Sequence, residues 1–226
     1  SIMRLTINEL ENKKDNNKGG ITGIPSGFKD LDDVTGGWQK TELTIIAARP
    51  GMGKTAFVVS SMRNAAVDHN IPIAIFSLEM SATQLMLRMI SSEAEIDSEK
   101  LRQGKLEGHE WEQVHHRITQ LSSSSIFIDD TPALSILELR AKCRRLKAQH
   151  NIQMVIIDYL QLMSGSNDKG GNREQEISNI SRNLKSLAKE LKVSNSLVHL
   201  RVRKLQESGL IAGFSVKLNA KAYGFE

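Results

Sequence analysis

The feature that most constrains this chain is Arg49-Pro50-Gly51-Met52-Gly53-Lys54-Thr55, set between an apolar run (43–48) and a helical segment. Gly51 and Gly53 let successive backbone N–H groups turn inward around an anion, where a Cβ would collide with it. The helix that follows aims its free amides and positive dipole end at the same anion. Lys54 adds a point charge for β- and γ-phosphates, and Thr55 a hydroxyl for Mg²⁺. Arg49, Pro50, Gly51, Met52, Gly53, Lys54, Thr55 and Ala56 are therefore the expected nucleotide contacts, with ATP and Mg²⁺ as ligands. Ala48 stands where the strict G-x-x-x-x-G-K-[ST] pattern has its first glycine. The bland alternative is a chance Gly-Lys-Thr turn; the strand before it and the helix after it argue against that.

Such a loop belongs on an α/β sheet, and the rest of the pattern agrees. Residues 43–48, 73–78, 126–129 and 154–158 are continuous apolar runs, as expected for strands covered on both faces. Between them, Ser81-Ala82-Thr83-Gln84 and Ser135-Ile136-Leu137-Glu138 both fit the capping box. Ile177, Ile180, Leu184, Leu187 and Leu191 recur at steps of three and four, which predicts an amphipathic helix over 173–192. Strand, crossover helix and strand in repetition imply a mainly parallel sheet flanked by helices. Cys143 is the single cysteine and falls at helical spacing with Leu139 and Leu146, which reads as a buried core thiol. The net charge of +4 is too small to establish nucleic-acid binding by itself. With no long apolar run and no basic-then-apolar start, the expectation is a cytoplasmic protein without a membrane segment.

A phosphoryl-transfer site also needs acids. Met154-Val155-Ile156-Ile157-Asp158 sets Asp158 at the tip of a buried strand, where a Mg²⁺-directing carboxylate belongs. Asp129 and Asp130 are the rivals; they precede Thr131-Pro132, which suits a turn. Glu79 follows the run 73–78 at the carboxyl edge of the sheet, where ligands bind in open α/β folds. It reads as a candidate general base, and equally as a solvated strand-end acid.

These residues carry a resemblance. Gly23-Ile24-Pro25-Ser26-Gly27-Phe28-Lys29-Asp30-Leu31-Asp32, the loop 48–55, Phe76-Ser77-Leu78-Glu79-Met80-Ser81 and Asp158-Tyr159-Leu160-Gln161-Leu162 resemble the DnaB-type replicative DNA helicases. Arg173-Glu174-Gln175-Glu176-Ile177 with Ile180-Ser181-Arg182 extends the likeness, which covers about residues 5–193. It implies a RecA-like ATPase domain in a homo-hexameric ring around single-stranded DNA, working with other replication proteins. It implies Lys54 and Thr55 on the nucleotide, Asp158 on Mg²⁺ and Glu79 as catalytic base. Residues 1–20 would be the linker helix, docked on the neighbouring subunit, and its linker. The loop 164–173 would face the channel, with Lys169 and Arg173 touching DNA phosphates; an ordinary solvated loop is the alternative.

Residues 187–226 resemble a different family, the end of a helix-turn-helix of an Lrp/AsnC-type transcription regulator. On that likeness Val193-Ser194-Asn195 is the turn and residues 196–208 the recognition helix, with His199, Arg201, Arg203 and Lys204. The expected division is linker (1–20), truncated ATPase domain (21–193) and small helical tail (194–226). The expected activity is that of an ATP-dependent helicase core lacking its later motifs, able to bind ATP but slow to hydrolyse it. The alternative is a DNA-binding regulator acting through the tail.

Overall fold

Fully apolar segments have no solvated face, so they are stable only when helices cover both sides of the sheet they form. The computed structural model describes residues 3, 4, 7, 21–49, 51–159, 163 and 173–198, and the side chains of these except 173–176 and 195–198. Five strands, β1 (Leu43–Ile46), β2 (Ile73–Ser77), β3 (Ile126–Asp129), β4 (Met154–Asp158) and β5 (Ser194–Val198), form one parallel sheet in the order β1-β5-β4-β2-β3.

Helix α1 (Lys29–Thr35) precedes β1. Helix α2 (Lys54–Arg63) follows the glycine loop and passes into a π-helical turn (Asn64–Asp68). Between β2 and β3 lie α3 (Ala82–Ala94), α4 (Ser98–Gln103) and α5 (Gly108–Ser123). Helices α6 (Ile136–His150) and α7 (Arg173–Leu191) lead into β4 and β5. Both expected capping boxes are present: Ser81 and Gln84 start α3, and Ser135 and Glu138 start α6.

The period-2 alternation of β4 divides the core. Met154 and Ile156 face Val58, Val59 and Met62 of α2 and Leu85 and Met89 of α3. Val155 and Ile157 face Leu139 and Cys143 of α6 and Leu184 and Leu187 of α7. Cys143 is buried as expected, and burial pushes its thiol up to about 12. Coverage on both faces holds for β2 and β4, whose residues are all buried. It does not hold for β1 and β3, which are only partly buried because they form the two edges of this sheet; Ile45 is 47% exposed.

The largest departure from expectation is at Ser194. Val193, Ser194 and Asn195 do not form the turn of a helix-turn-helix, nor does a recognition helix begin at Ser196. Ser194–Val198 is β5, hydrogen-bonded between β1 and β4, with Ile45 opposite Leu197 and Ile156 opposite Ser196. The expected end of the ATPase domain at Val193 is thereby corrected: the sheet continues through Val198. The physical reason is position: two parallel neighbours present ladders of unpaired amides and carbonyls, and satisfying them outweighs the weak strand propensity of Ser-Asn-Ser. Residues 199–226 lie outside the described residues, as does most of the expected linker 1–20. Within it, Met3, Arg4 and Ile7 are helical and exposed.

Ser196→Pro separates the two readings. Proline is tolerated in the first turn of a helix but breaks the ladder of a central strand. We expect a loss of about 3 kcal/mol, lowering Tm by roughly 6–12 °C. An unchanged melting curve would restore the helical tail.

Candidate nucleotide site

The carboxyl ends of the strands form the edge where chemistry collects. After β1 the chain turns through Arg49, whose carbonyl accepts from the amide of Met52 at 3.2 Å. Gly51 and Gly53 both sit at φ 79°. A Cβ added at either would meet no protein atom within 4 Å, so the left-handed backbone is what demands glycine, and the space before the loop is open. Gly53 is the N-cap of α2 and supplies no side-chain cap, whereas Ser81 and Ser135 accept an amide hydrogen bond at the starts of α3 and α6. The first amides of α2 are thus left for an outside acceptor, and the open cradle fits a phosphate.

Two side chains from this turn converge on β4. Lys54 Nζ lies 3.5 Å from Asp158 Oδ1, and Thr55 Oγ1 donates to Asp158 Oδ2 at 3.1 Å. The Asp158 side chain is 1% exposed, and its Oδ1 is buried without a hydrogen-bond partner. A buried carboxylate oxygen short of a donor is costly, and a water on a hydrated cation would satisfy it. The Lys54 ammonium also stands 4.4 Å from the centroid of the Tyr159 ring, within cation–π range.

Glu79 is carried by the next strand. The Leu78 amide donates to the Asp158 carbonyl at 2.7 Å, tethering the end of β2 to the end of β4. Ser77 Oγ then donates to the Met80 carbonyl at 2.7 Å, closing a tight turn around Glu79. Glu79 lines a cavity of about 390 Å³ together with Ala48, Arg49, Gly51, Gly53, Lys54, Thr55, Ala56, Arg88 and Tyr159. Arg88 reaches this cavity from the second turn of α3, with no sequence signal to announce it. Tyr159 lay inside a quoted motif without a role. Beyond Thr55, Ala56, Glu79 and Arg88 a larger groove of about 840 Å³ runs between α2, α3 and α4.

The rival acids have structural partners. Asp129 binds Lys142 Nζ at 2.6 Å and the Thr131 amide at 3.1 Å. Burial pushes its carboxyl up, but these hydrogen bonds more than offset that and hold it below the usual range. Asp130 accepts from the Ala82 amide at 2.8 Å, at the start of α3. Among the described residues no group of three or more His, Cys, Asp or Glu could hold a metal ion by itself. The Thr55 hydroxyl beside the Asp158 carboxylate suits Mg²⁺, which keeps several waters and takes few protein ligands beside substrate phosphates. Pro50 and Lys169 lie outside the described residues; Arg173 begins α7, and its side chain is likewise outside them. No helix among the described residues is long and apolar enough to cross a membrane.

Comparison with known proteins agrees with this fold. Residues 23–202 match the family model described as the DnaB-like helicase C-terminal domain, a match that runs through β5. The chain is 50% identical over 178 residues to the replicative DNA helicase DnaB of Geobacillus stearothermophilus, covering 79% of this chain and 39% of that protein. It is 55% identical over 181 residues to the replicative DNA helicase DnaB of Rhodothermus marinus, covering 77% and 19%. Among solved structures, one described as an ATPase domain superposes with a TM-score of 0.83 at 32% identity, over 92% of this chain and 73% of that one. A DnaB-like replicative helicase, described with its interactions with primase, superposes with a TM-score of 0.80 at 32% identity, over 92% and 50%. The chain therefore spans about two fifths of the Geobacillus relative's length.

Proposed function

We propose, for a chain that belongs to the DnaB-like helicase C-terminal domain family, that this site binds Mg²⁺-ATP and hydrolyses it as the motor domain of a replicative DNA helicase acting on single-stranded DNA. The observation that carries the reading is the convergence of Lys54 and Thr55 on buried Asp158, in front of the uncapped start of α2.

On this reading Arg49, Gly51, Met52, Gly53 and Ala56 supply the backbone cradle for the phosphates, with Pro50 completing the loop. Lys54 turns from Asp158 towards the β- and γ-phosphates, where its ammonium offsets the charge that builds up on the leaving group. Thr55 and Asp158 would hold Mg²⁺, which would supply charge neutralisation for the phosphates. Glu79 accepts a proton from the attacking water, and its tethered turn keeps the carboxylate facing the cavity. Arg88 adds positive charge on the cavity wall, beside that of Arg49 and Lys54.

The ring, the DNA and the compartment follow from the same family reading. The domain works as a homo-hexamer whose residues 1–20 dock on the next subunit, in the cytoplasm with other replication proteins. Lys169 and Arg173 bring positive charge to the strand in the channel. A transcription regulator acting through residues 194–226 is the weaker reading, because its recognition helix would start inside β5. The test is steady-state ATP hydrolysis by the chain. We expect turnover that requires Mg²⁺ and rises with single-stranded DNA; no turnover under either condition overturns the motor assignment.

A further inference from the structure

Helix α7 shows its apolar side to the sheet, with Ile180, Leu184 and Leu187 buried. One row on its outer side carries a single sign. Arg182, Lys185, Lys189 and, just past the helix end, Lys192 follow at steps of three, four and three, and all four are exposed. At 1.5 Å per residue the row is about 15 Å long. Among the described residues none of the four enters an ion pair. The neighbouring helix behaves differently: Arg140 and Arg144 of α6 both engage Glu190, at 3.6 and 2.6 Å.

The row leads to the amino-terminal edge of the sheet, where the Thr41 amide donates to the Val193 carbonyl at 3.0 Å. That bond sets the backbone at Lys40 beside the backbone at Lys192. Further cationic charge gathers there: burial first, and then the field of Lys40, pushes the Lys147 ammonium below its usual range. Glu42 lies at this edge as well, and it too is exposed. Uncompensated like charges repel one another and offer no stability in return, so a row of this kind points to an anionic partner.

We propose that Arg182, Lys185, Lys189 and Lys192 form a track for the phosphate backbone of single-stranded DNA, separate from the loop 164–173. Its length matches about four phosphates at the 3.4 Å axial spacing of one duplex strand, and fewer of a stretched single strand. No Phe, Tyr or Trp lies between residues 177 and 194, so this part of α7 itself offers no base-stacking platform. It holds a strand by charge and is indifferent to sequence. The choice of single-stranded DNA rests on the helicase reading above; the charge pattern does not.

The test is binding of a labelled (dT)20 by the whole chain without nucleotide, between 50 and 300 mM NaCl. Each phosphate contact on a single strand contributes about 0.7 to the slope of log K against log salt. The variant Arg182→Gln/Lys185→Gln/Lys189→Gln/Lys192→Gln is expected to flatten that slope by about 2–3, while ATP affinity and the melting temperature stay as in the parent. The charge-keeping variant Arg182→Lys/Lys185→Arg/Lys189→Arg should retain the parent slope. If the quadruple variant does not fold, Lys185→Gln/Lys189→Gln should remove about 1.4. An unchanged slope in a folded variant overturns the track. So does an equal loss of affinity for polyglutamate, which would mean a general polyanion surface. Because no nucleotide is present, failure of the ATPase assignment would leave this result untouched.

Discussion

Replacing Lys54 with alanine is expected to weaken ATP binding about 10- to 100-fold and to lower kcat about 10²–10³-fold. The first figure is the loss of one charge-assisted hydrogen bond, about 1.5–3 kcal/mol. The second is the usual effect of removing one donor aimed at charge that develops in the transition state. Structure supports separating the two effects from misfolding. Asp158, the residue Lys54 faces at 3.5 Å, keeps the Thr55 hydroxyl at 3.1 Å when the lysine is gone. Thermal unfolding of the variant beside the parent shows whether the sheet survives. Titration with a labelled ATP analogue then reads binding, and phosphate release reads turnover. Unchanged affinity would mean that the glycine loop holds something other than phosphate.

Glu79→Gln should give the complementary pattern: affinity within two- to threefold of the parent and hydrolysis down about 10²–10⁴-fold, the range for a lost general base. The amide keeps the size of the side chain and its place in the turn that Ser77 closes over Met80, but it cannot accept the proton of the attacking water. Single-turnover hydrolysis with enzyme in excess checks this, because it isolates the chemical step from product release. A variant as fast as the parent would make Glu79 the solvated strand-end acid that its exposure also permits.

What could be read before the structure divides along a physical line. β2, β3, β4 and the caps of α3 and α6 are local: apolar run length and a Ser-x-x-Gln or Ser-x-x-Glu pattern suffice, and the strands and caps lie where expected. β5 is not local. Ser194-Asn195-Ser196 has little strand preference, and only the gap between β1 and β4 makes it a strand. Read alone, its polar start after Val193 resembled a turn, and the expected helix-turn-helix boundary was set there instead of beyond β5.

The site divides in the same way. Gly51, Gly53, Lys54, Thr55 and Asp158 were legible because each sits at a strand end or a helix start, which spacing reveals. Arg88 and Tyr159 were not, since their place on the cavity wall depends on how α3 packs and how the chain leaves β4. The structural partners of Asp129 and Asp130, Lys142 and the start of α3, were likewise not visible in the sequence.

The measurement closest to the central claim is competition between unlabelled nucleotides for the wild-type site, with and without Mg²⁺. If the uncapped start of α2, Lys54 and the Thr55–Asp158 pair read phosphates and their cation, ATP displaces a bound fluorescent ATP analogue in a Mg²⁺-dependent way. AMP, lacking the β- and γ-phosphates, then competes at least 100-fold less well, the loss of roughly two charge-assisted contacts. Equal competition by AMP and ATP, or binding indifferent to Mg²⁺, would contradict the account.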